Sequence, residues 1–91
     1  TPLEMTPEEH DAAVALMSHV PQLIASLLAA RFVDAPDGFL RLAGQGVRDT
    51  TRIAASAPEL WVQILGANAA PVASVLDAVA GDLADVADAL R

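Results

Sequence analysis

The chain has 91 residues, a formal net charge of −7 and no cysteine. This length allows one small domain, and the absence of cysteine excludes a disulfide framework and a thiolate metal site. Nucleic-acid binding is disfavoured, because five basic residues are too few to neutralise a run of phosphates.

The N-terminal residues are acidic and lack the basic and apolar regions of a signal peptide. The longest apolar stretch, Val20 to Val33, is interrupted by polar residues and is shorter than the roughly 20 residues that a membrane span needs. We therefore expect a cytoplasmic protein with no membrane partner.

The apolar content is high for such a short, acidic chain. Hydrophobic residues make up 54% of the sequence, and the mean hydropathy is +0.43. A domain of this size buries only about 60% of the surface that its unfolded chain exposes. The remaining apolar residues should form a patch, and such patches usually mark an interface, so the composition predicts a homodimer.

Apolar residues recur at three- and four-residue spacing, which predicts an all-α fold of about five helices in a single domain, 1–91. The first helix is predicted to begin at Thr6, because Thr6 and Glu9 can form a capping box around Pro7. Pro21 should kink this helix, since proline removes a backbone donor and its ring crowds the preceding turn.

The remaining elements follow in chain order after a turn at 33–38. The sequence predicts a short helix over Phe39–Ala43, a helix over Val47–Ser56, a helix from Pro58, and a last helix that begins near residues 68–71 and continues to Leu90. Gly81 lies inside the last helix, where close packing against another helix would explain a glycine.

The segment after Gly44 concentrates positive charge that is scarce elsewhere. Arg48 and Arg52 lie one helical turn apart, and Asp49 is placed to pair with Arg52. A guanidinium binds a carboxylate through two parallel hydrogen bonds, and a helix N-terminus also favours an anion. The pattern predicts either a carboxylate site or a solvated, salt-bridged helix face.

Other motifs are weaker. Gly44-x-Gly46 is not a dinucleotide fingerprint, because no strand precedes it and the third glycine is replaced by Asp49. His19 and Trp61 on their own are typical of packing residues, and His10 has no partner that would make a metal site.

Several motifs together carry a family resemblance. They are Thr-Pro-Glu-Glu-His-Asp at 6–11, Ser-His-Val-Pro-Gln at 18–22, Gly-x-Gly-Val-Arg-Asp-Thr-Thr-Arg-Ile-Ala at 44–54, Pro-Glu-Leu-Trp at 58–61, and Asn68. Their order and spacing resemble the C-terminal helical domain of prephenate dehydrogenases, over nearly the whole chain. The resemblance implies an NAD- or NADP-dependent parent enzyme that converts prephenate to 4-hydroxyphenylpyruvate in tyrosine biosynthesis, with relatives that use arogenate.

The resemblance also implies roles for individual residues. Arg52 matches the arginine that grips a substrate carboxylate, and Asp49 matches an acidic residue of the nearby ionic network. His19 and Trp61 match pocket residues associated with substrate or tyrosine binding, and Arg48 has a supporting role. The catalytic residues and the cofactor would belong to an N-terminal Rossmann domain absent from this chain, so the chain alone is expected to be inactive.

The pattern departs from many relatives at the glycine turn. They have three consecutive glycines where this chain has Gly44-Gln45-Gly46, so the side chain of Gln45 could narrow the substrate pocket beside Gly46 or add an amide contact.

The alternatives to a prephenate-binding domain are an arogenate dehydrogenase domain and a purely structural dimerisation module with no ligand. A small secreted helical hairpin of the Trp-x-Gly type is disfavoured, because Val62 and Gln63 follow Trp61 and the turn glycine of that signature is absent.

Overall fold

The computed structural model describes residues 4–91, and all regular structure in that range is helical, which confirms the predicted fold class. Helix α1 spans Pro7–Val14, a π-helical turn spans Ala15–His19, and α2 spans Val20–Val33. These three segments form one continuous helical rod, Pro7–Val33.

The rod begins as the sequence predicts. The backbone N–H of Glu9 donates to Thr6 Oγ1 at 3.1 Å, and the N–H of Thr6 donates to Glu9 Oε1 at 3.2 Å. Both bonds of a capping box are therefore present, and Pro7 occupies the first turn, where its missing N–H costs nothing.

Pro21 changes the rod in a way that the sequence does not predict. The turn before Pro21 is wider than an α-helical turn, and the N–H of Val20 donates to the carbonyl of Ala15, five residues earlier. A wider turn relieves the clash between a proline ring and the carbonyls of the preceding turn. The helix consequently continues through Pro21 to Val33.

The C-terminal half contains four further helical segments. Gly38, at a φ of 97°, leads into a 3₁₀ turn, Phe39–Leu42. Helix α3 spans Gln45–Ala54, so it begins and ends two residues earlier than predicted, because the extended backbone of Gly44 already caps it. Helices α4, Pro58–Ala67, and α5, Ala69–Ala89, begin where the sequence predicts and meet at an angle of 97°.

The hydrophobic core is very small. It centres on Ala15, Val20 and Val72, where the π-helical turn contacts α5, and partly buried Leu23, Leu65, Val75 and Leu76 pack around it. Large apolar side chains are exposed on most elements, including Met17 and Leu27 on the rod and Leu83 and Val86 on α5. The described chain therefore leaves much of its apolar surface open.

Two sequence expectations need correction here. The rod Pro7–Val33 has 27 residues and is long and apolar enough to cross a membrane by length and composition, whereas the sequence suggested a shorter stretch. Such helices also occur in protein cores and interfaces. At Gly81, an added Cβ would meet no atom within 4 Å, so no close packing in the described chain explains that glycine.

Candidate functional site

The first group of candidate residues lies along α3 and is called the α3 triad: Gln45, Asp49 and Arg52. Gln45 Nε2 donates to Asp49 Oδ1 at 2.8 Å, and Arg52 Nη2 lies 3.5 Å from the same oxygen. Residues three and four apart share a helix face, so α3 itself brings these side chains together. The predicted pairing of Asp49 with Arg52 is confirmed.

The triad is open to solvent. The side chain of Arg52 is 72% exposed and that of Asp49 is 47% exposed. Because Asp49 occupies only one side of the guanidinium, Arg52 keeps donors for a second carboxylate. Arg48 is also exposed and makes no ion pair with the residues that the structure describes.

The start of α3 supports the same chemistry. Gly44 provides no side-chain cap, so the first backbone N–H groups of α3 face away from the helix without a side-chain acceptor. Gly46 has room for a Cβ, with no atom of the described chain within 4 Å. The small residue at position 46 is therefore not required by packing within the domain, and it leaves open space beside the helix N-terminus.

The second group is called the α4–α5 corner: His19, Trp61 and Asn68. Asn68 joins α4 to α5 and is 7% exposed. Its side-chain nitrogen donates to the backbone carbonyl of Asp11 at 2.9 Å and lies 3.2 Å from Nδ1 of His19. The rings of His19 and Trp61 meet edge to face, with centroids 6.1 Å apart and an interplanar angle of 81°.

A cavity of about 390 Å³ lies beside this corner, between α2 and the start of α4. Its volume is within the range of small-molecule sites, roughly 300–1,000 Å³. Gln22 and Ser26 give it polar groups, and Trp61 is shared with the corner. The full lining is Gln22, Ser26, Ala29, Ala30, Val33, Ala54, Ser56, Pro58 and Trp61.

The structure brings the predicted residues together as two groups. His19 contacts Trp61, and Asp49 contacts Gln45 and Arg52, but no hydrogen bond or ion pair within residues 4–91 joins the α3 triad to the corner. Sequence reasoning missed the role of Asn68, and it gave no role to the cavity residues Gln22 and Ser26. Asn68 belongs to the motifs that carry the family resemblance, but the sequence gives no sign of the contacts that its side chain makes.

A metal site and a dinucleotide site each need a particular arrangement of residues. No group of three or more histidine or acidic side chains within residues 4–91 could hold a metal ion. A dinucleotide site of the Rossmann type needs a parallel sheet, and the same range contains helices only. The described residues therefore form no dinucleotide site of the Rossmann type.

Comparisons with known proteins give consistent results. Residues 6–91 match the family model described as prephenate dehydrogenase, dimerization domain. The chain is 38% identical over 91 residues to a probable prephenate dehydrogenase, NovF, of Streptomyces niveus, covering 99% of this chain and 25% of that protein. It is 39% identical over 66 residues to the prephenate dehydrogenase of Bacillus subtilis (strain 168), covering 69% and 18% of the two chains.

A third relative carries a different name. The chain is 36% identical over 83 residues to the cyclohexadienyl dehydrogenase of Zymomonas mobilis subsp. mobilis (strain ATCC 31821 / ZM4 / CP4), covering 87% of this chain and 28% of that protein. The chain thus spans about a quarter of the length of the curated relatives that it matches.

Proposed function

Because the chain belongs to the prephenate dehydrogenase dimerization-domain family, we propose that it forms the dimerisation and substrate-binding part of a prephenate dehydrogenase. The parent enzyme would oxidatively decarboxylate prephenate to 4-hydroxyphenylpyruvate for tyrosine biosynthesis. The proposal assigns this chain binding and positioning and leaves the chemical step to residues outside it.

The observation that carries the substrate-binding proposal is the exposed guanidinium of Arg52, held on one side by Asp49 at 3.5 Å. Prephenate carries two carboxylates, and the guanidinium fork suits bidentate recognition of a carboxylate. Asp49 limits the orientations of Arg52 before the substrate arrives, which lowers the entropy lost on binding. The N-terminus of α3, which has no side-chain cap, adds a favourable field for an anion.

The other predicted residues take supporting roles in this proposal. His19 and Trp61 contribute a hydrogen-bonding and an aromatic surface for substrate or tyrosine, next to the cavity that Trp61 lines. Gln45 and Gly46 shape the space at the start of α3, and Arg48 adds positive charge near it. The two groups would act on one ligand across a cleft completed by another part of the parent protein.

The cofactor is assigned by the family and not by these residues. We propose that a domain of the parent outside this chain would bind NAD or NADP, which would supply the hydride acceptor for the reaction. This chain's residues would bind the substrate carboxylate and orient the ring toward that domain. The isolated chain is then expected to show no dehydrogenase activity, and NAD(P)H production by it would contradict the proposal.

We also propose that the parent is a homodimer through this domain. The support is the contrast between four buried hydrophobic residues and the many large apolar side chains left exposed. Leu83 and Val86 on α5 are 62% and 57% exposed, so aspartate at both positions should dissociate the full-length protein. Sedimentation velocity should show a monomer for that variant and a dimer for the control Asp82→Asn, which lies on the same helix. If the variant remains a dimer, α5 is not part of the interface.

The same apolar surface bears on localisation. We propose a cytoplasmic enzyme in which the rod Pro7–Val33 is covered by protein and not by lipid, with neither a membrane nor nucleic acid as a partner. The support is the family's description as a dimerization domain, the net charge of −7 and the absence of cysteine.

Two alternatives remain for the ligand. Arogenate has the same ring carboxylate as prephenate and differs in its side chain, so Arg52 would serve either substrate. A purely structural dimerisation module with no ligand is favoured by one observation, the very small core of the described chain. Under that alternative the exposed charges of the α3 triad would have no role beyond solubility.

Calorimetry on the full-length parent separates these readings. Prephenate, arogenate and tyrosine are titrated into the wild-type protein and into the double variant Arg52→Ala/Asp49→Asn, with Arg31→Ala as a matched control for loss of an exposed arginine. We expect the double variant alone to lose binding of the preferred substrate. Equal affinity in all three proteins would leave the structural module as the function of this chain.

A further inference from the structure

We propose that Asn68 is a positioning residue that holds His19 in the tautomer with its proton on Nε2, leaving that N–H as the donor to an oxygen atom of the ligand. The use of His19 in ligand binding rests on the proposed function. The assignment of the tautomer rests on the geometry of the α4–α5 corner alone.

The position of Asn68 makes its side chain rigid. It lies at the 97° junction of α4 and α5, where its backbone N–H donates to Leu65 and its carbonyl accepts from Val72. The residue is 7% exposed, and it is the one buried polar residue in the described part of the chain. Backbone and burial together fix where its amide group can point.

The orientation of the amide follows from the chemistry of its first partner. The backbone carbonyl of Asp11 has no hydrogen to donate, so the group that faces it at 2.9 Å must be the side-chain nitrogen of Asn68. The same nitrogen lies 3.2 Å from Nδ1 of His19. An amide nitrogen has two hydrogens and no acceptor site, so its second hydrogen points at Nδ1.

The tautomer of His19 follows in turn. If Asn68 donates to Nδ1, that ring nitrogen is an acceptor and carries no proton. A neutral imidazole with a bare Nδ1 has its proton on Nε2. The described residues make no hydrogen bond to Nε2 of His19, so this N–H is available to an outside acceptor.

Trp61 completes the positioning. Its edge-to-face contact with His19 limits rotation of the ring, while Asn68 anchors one ring nitrogen. A donor fixed in this way suits a carboxylate, carbonyl or hydroxyl oxygen, which are the groups that prephenate and tyrosine carry. Without Asn68, the ring could also present a bare Nε2, which would repel a carboxylate or carbonyl oxygen.

The primary test is nuclear magnetic resonance of the full-length parent labelled with ¹⁵N-histidine, at a pH where His19 is neutral. The His19 signals are assigned by their loss in His19→Gln. We expect nitrogen shifts of a pure Nε2–H tautomer in the wild type and a mixture like that of free imidazole in Asn68→Ala. In Asn68→Asp we expect a shift toward Nδ1–H, because the carboxylate accepts a hydrogen bond from that N–H. An Nδ1–H tautomer or a mixture in the wild type overturns the inference even if neither variant folds.

Ligand affinity gives the second readout and separates this inference from the proposed function. Asn68→Ala should weaken prephenate binding about 3- to 30-fold in the wild type and have no further effect in His19→Gln, because both changes remove one interaction. Gln63→Ala, which removes an exposed amide from α4, is the control and should leave affinity unchanged. Additive losses would mean that Asn68 acts on binding without His19 and would overturn the inference.

One combination of results assigns the failure to the proposed function. If the wild type has the pure Nε2–H tautomer and Asn68→Ala loses it, while His19→Gln binds prephenate normally, the positioning role of Asn68 is supported. The proposed part of His19 in substrate binding would then be wrong.

Discussion

The α3 triad and the α4–α5 corner both contribute candidate ligand-binding residues, but different forces hold them. The contacts of the triad span three or four residues along one helix and are open to solvent. The contacts of Asn68 span 49 and 57 residues and are partly buried. The triad therefore has an exposed positive charge with donors left for a ligand, whereas the geometry of the corner is fixed before any ligand binds.

This contrast implies a division of free energy between the two regions. An exposed ion pair contributes little to folding, at most about 1 kcal/mol, so Arg52 and Asp49 are available for binding at small structural cost. A buried amide with two hydrogen bonds contributes to both folding and site geometry. Substitutions in the two regions should separate these effects.

The largest expected effect is that of Arg52→Ala on substrate affinity. In the full-length parent we expect prephenate binding to weaken by about 2–5 kcal/mol, because a carboxylate enclosed in the cleft would lose its charge partner. The free energy of unfolding should change by less than about 0.5 kcal/mol, since the side chain is 72% exposed. Calorimetric titration and urea unfolding measure the two quantities, with Arg31→Ala as the control.

If Arg52→Ala loses as much free energy of unfolding as free energy of binding, the contrast between the triad and the corner is wrong. It would mean that Arg52 is a structural residue whose partner lies in another part of the parent protein. An unchanged kcat/KM would remove Arg52 from the substrate site altogether.

The next effect is that of Asn68→Ala on stability. The variant loses the bonds to Asp11 and His19 and leaves a small void, so the free energy of unfolding should fall by about 1–3 kcal/mol. Gln63→Ala is the matched control from α4 and should stay within about 0.5 kcal/mol of the wild type. Urea unfolding of the full-length parent measures both variants. Equal midpoints for Asn68→Ala and Gln63→Ala would mean that the corner contributes no more to stability than an exposed side chain does.

The smallest effect is expected for Gln45→Ala. It removes the 2.8 Å bond to Asp49, which is exposed, so stability should change by no more than about 0.5 kcal/mol. Prephenate affinity should fall less than threefold, because Arg52 keeps its contact with Asp49. A loss comparable to that of Arg52→Ala would show that the amide itself contacts the ligand, and that the departure from three glycines is a specificity feature.

The same contrast decides what the sequence could predict. The capping box of Thr6, the start of α4 at Pro58 and the pairing of Asp49 with Arg52 all depend on neighbours within four residues, and all three are confirmed. Helix α3 begins two residues before its predicted start, because Gly44 caps it with extended backbone alone and has no capping side chain that a sequence could show. Local rules predict local structure well in this chain.

Long-range features were not predictable in this way. The bonds of Asn68 depend on the 97° angle between α4 and α5 and on the path of the rod, neither of which appears in residue spacing. The π-helical turn before Pro21 was also not predictable, since residue spacing does not reveal which carbonyls can move. The absence of close packing at Gly81 likewise depends on surfaces beyond any single helix.

The π-helical turn, Ala15–His19, has a consequence for the angular phase of the rod. Each residue of an α-helix advances the side-chain direction by about 100°, so an extra residue in one turn rotates everything beyond it relative to everything before it. Asp11 lies before that turn and His19 at its end, and both face Asn68. If the same residues formed a regular α-helix, the eight steps from Asp11 to His19 would leave the two side chains about 80° out of phase, and Asp11 would swing away from the asparagine that His19 contacts. The widening of this turn is therefore as much a determinant of the α4–α5 corner as the residues within it.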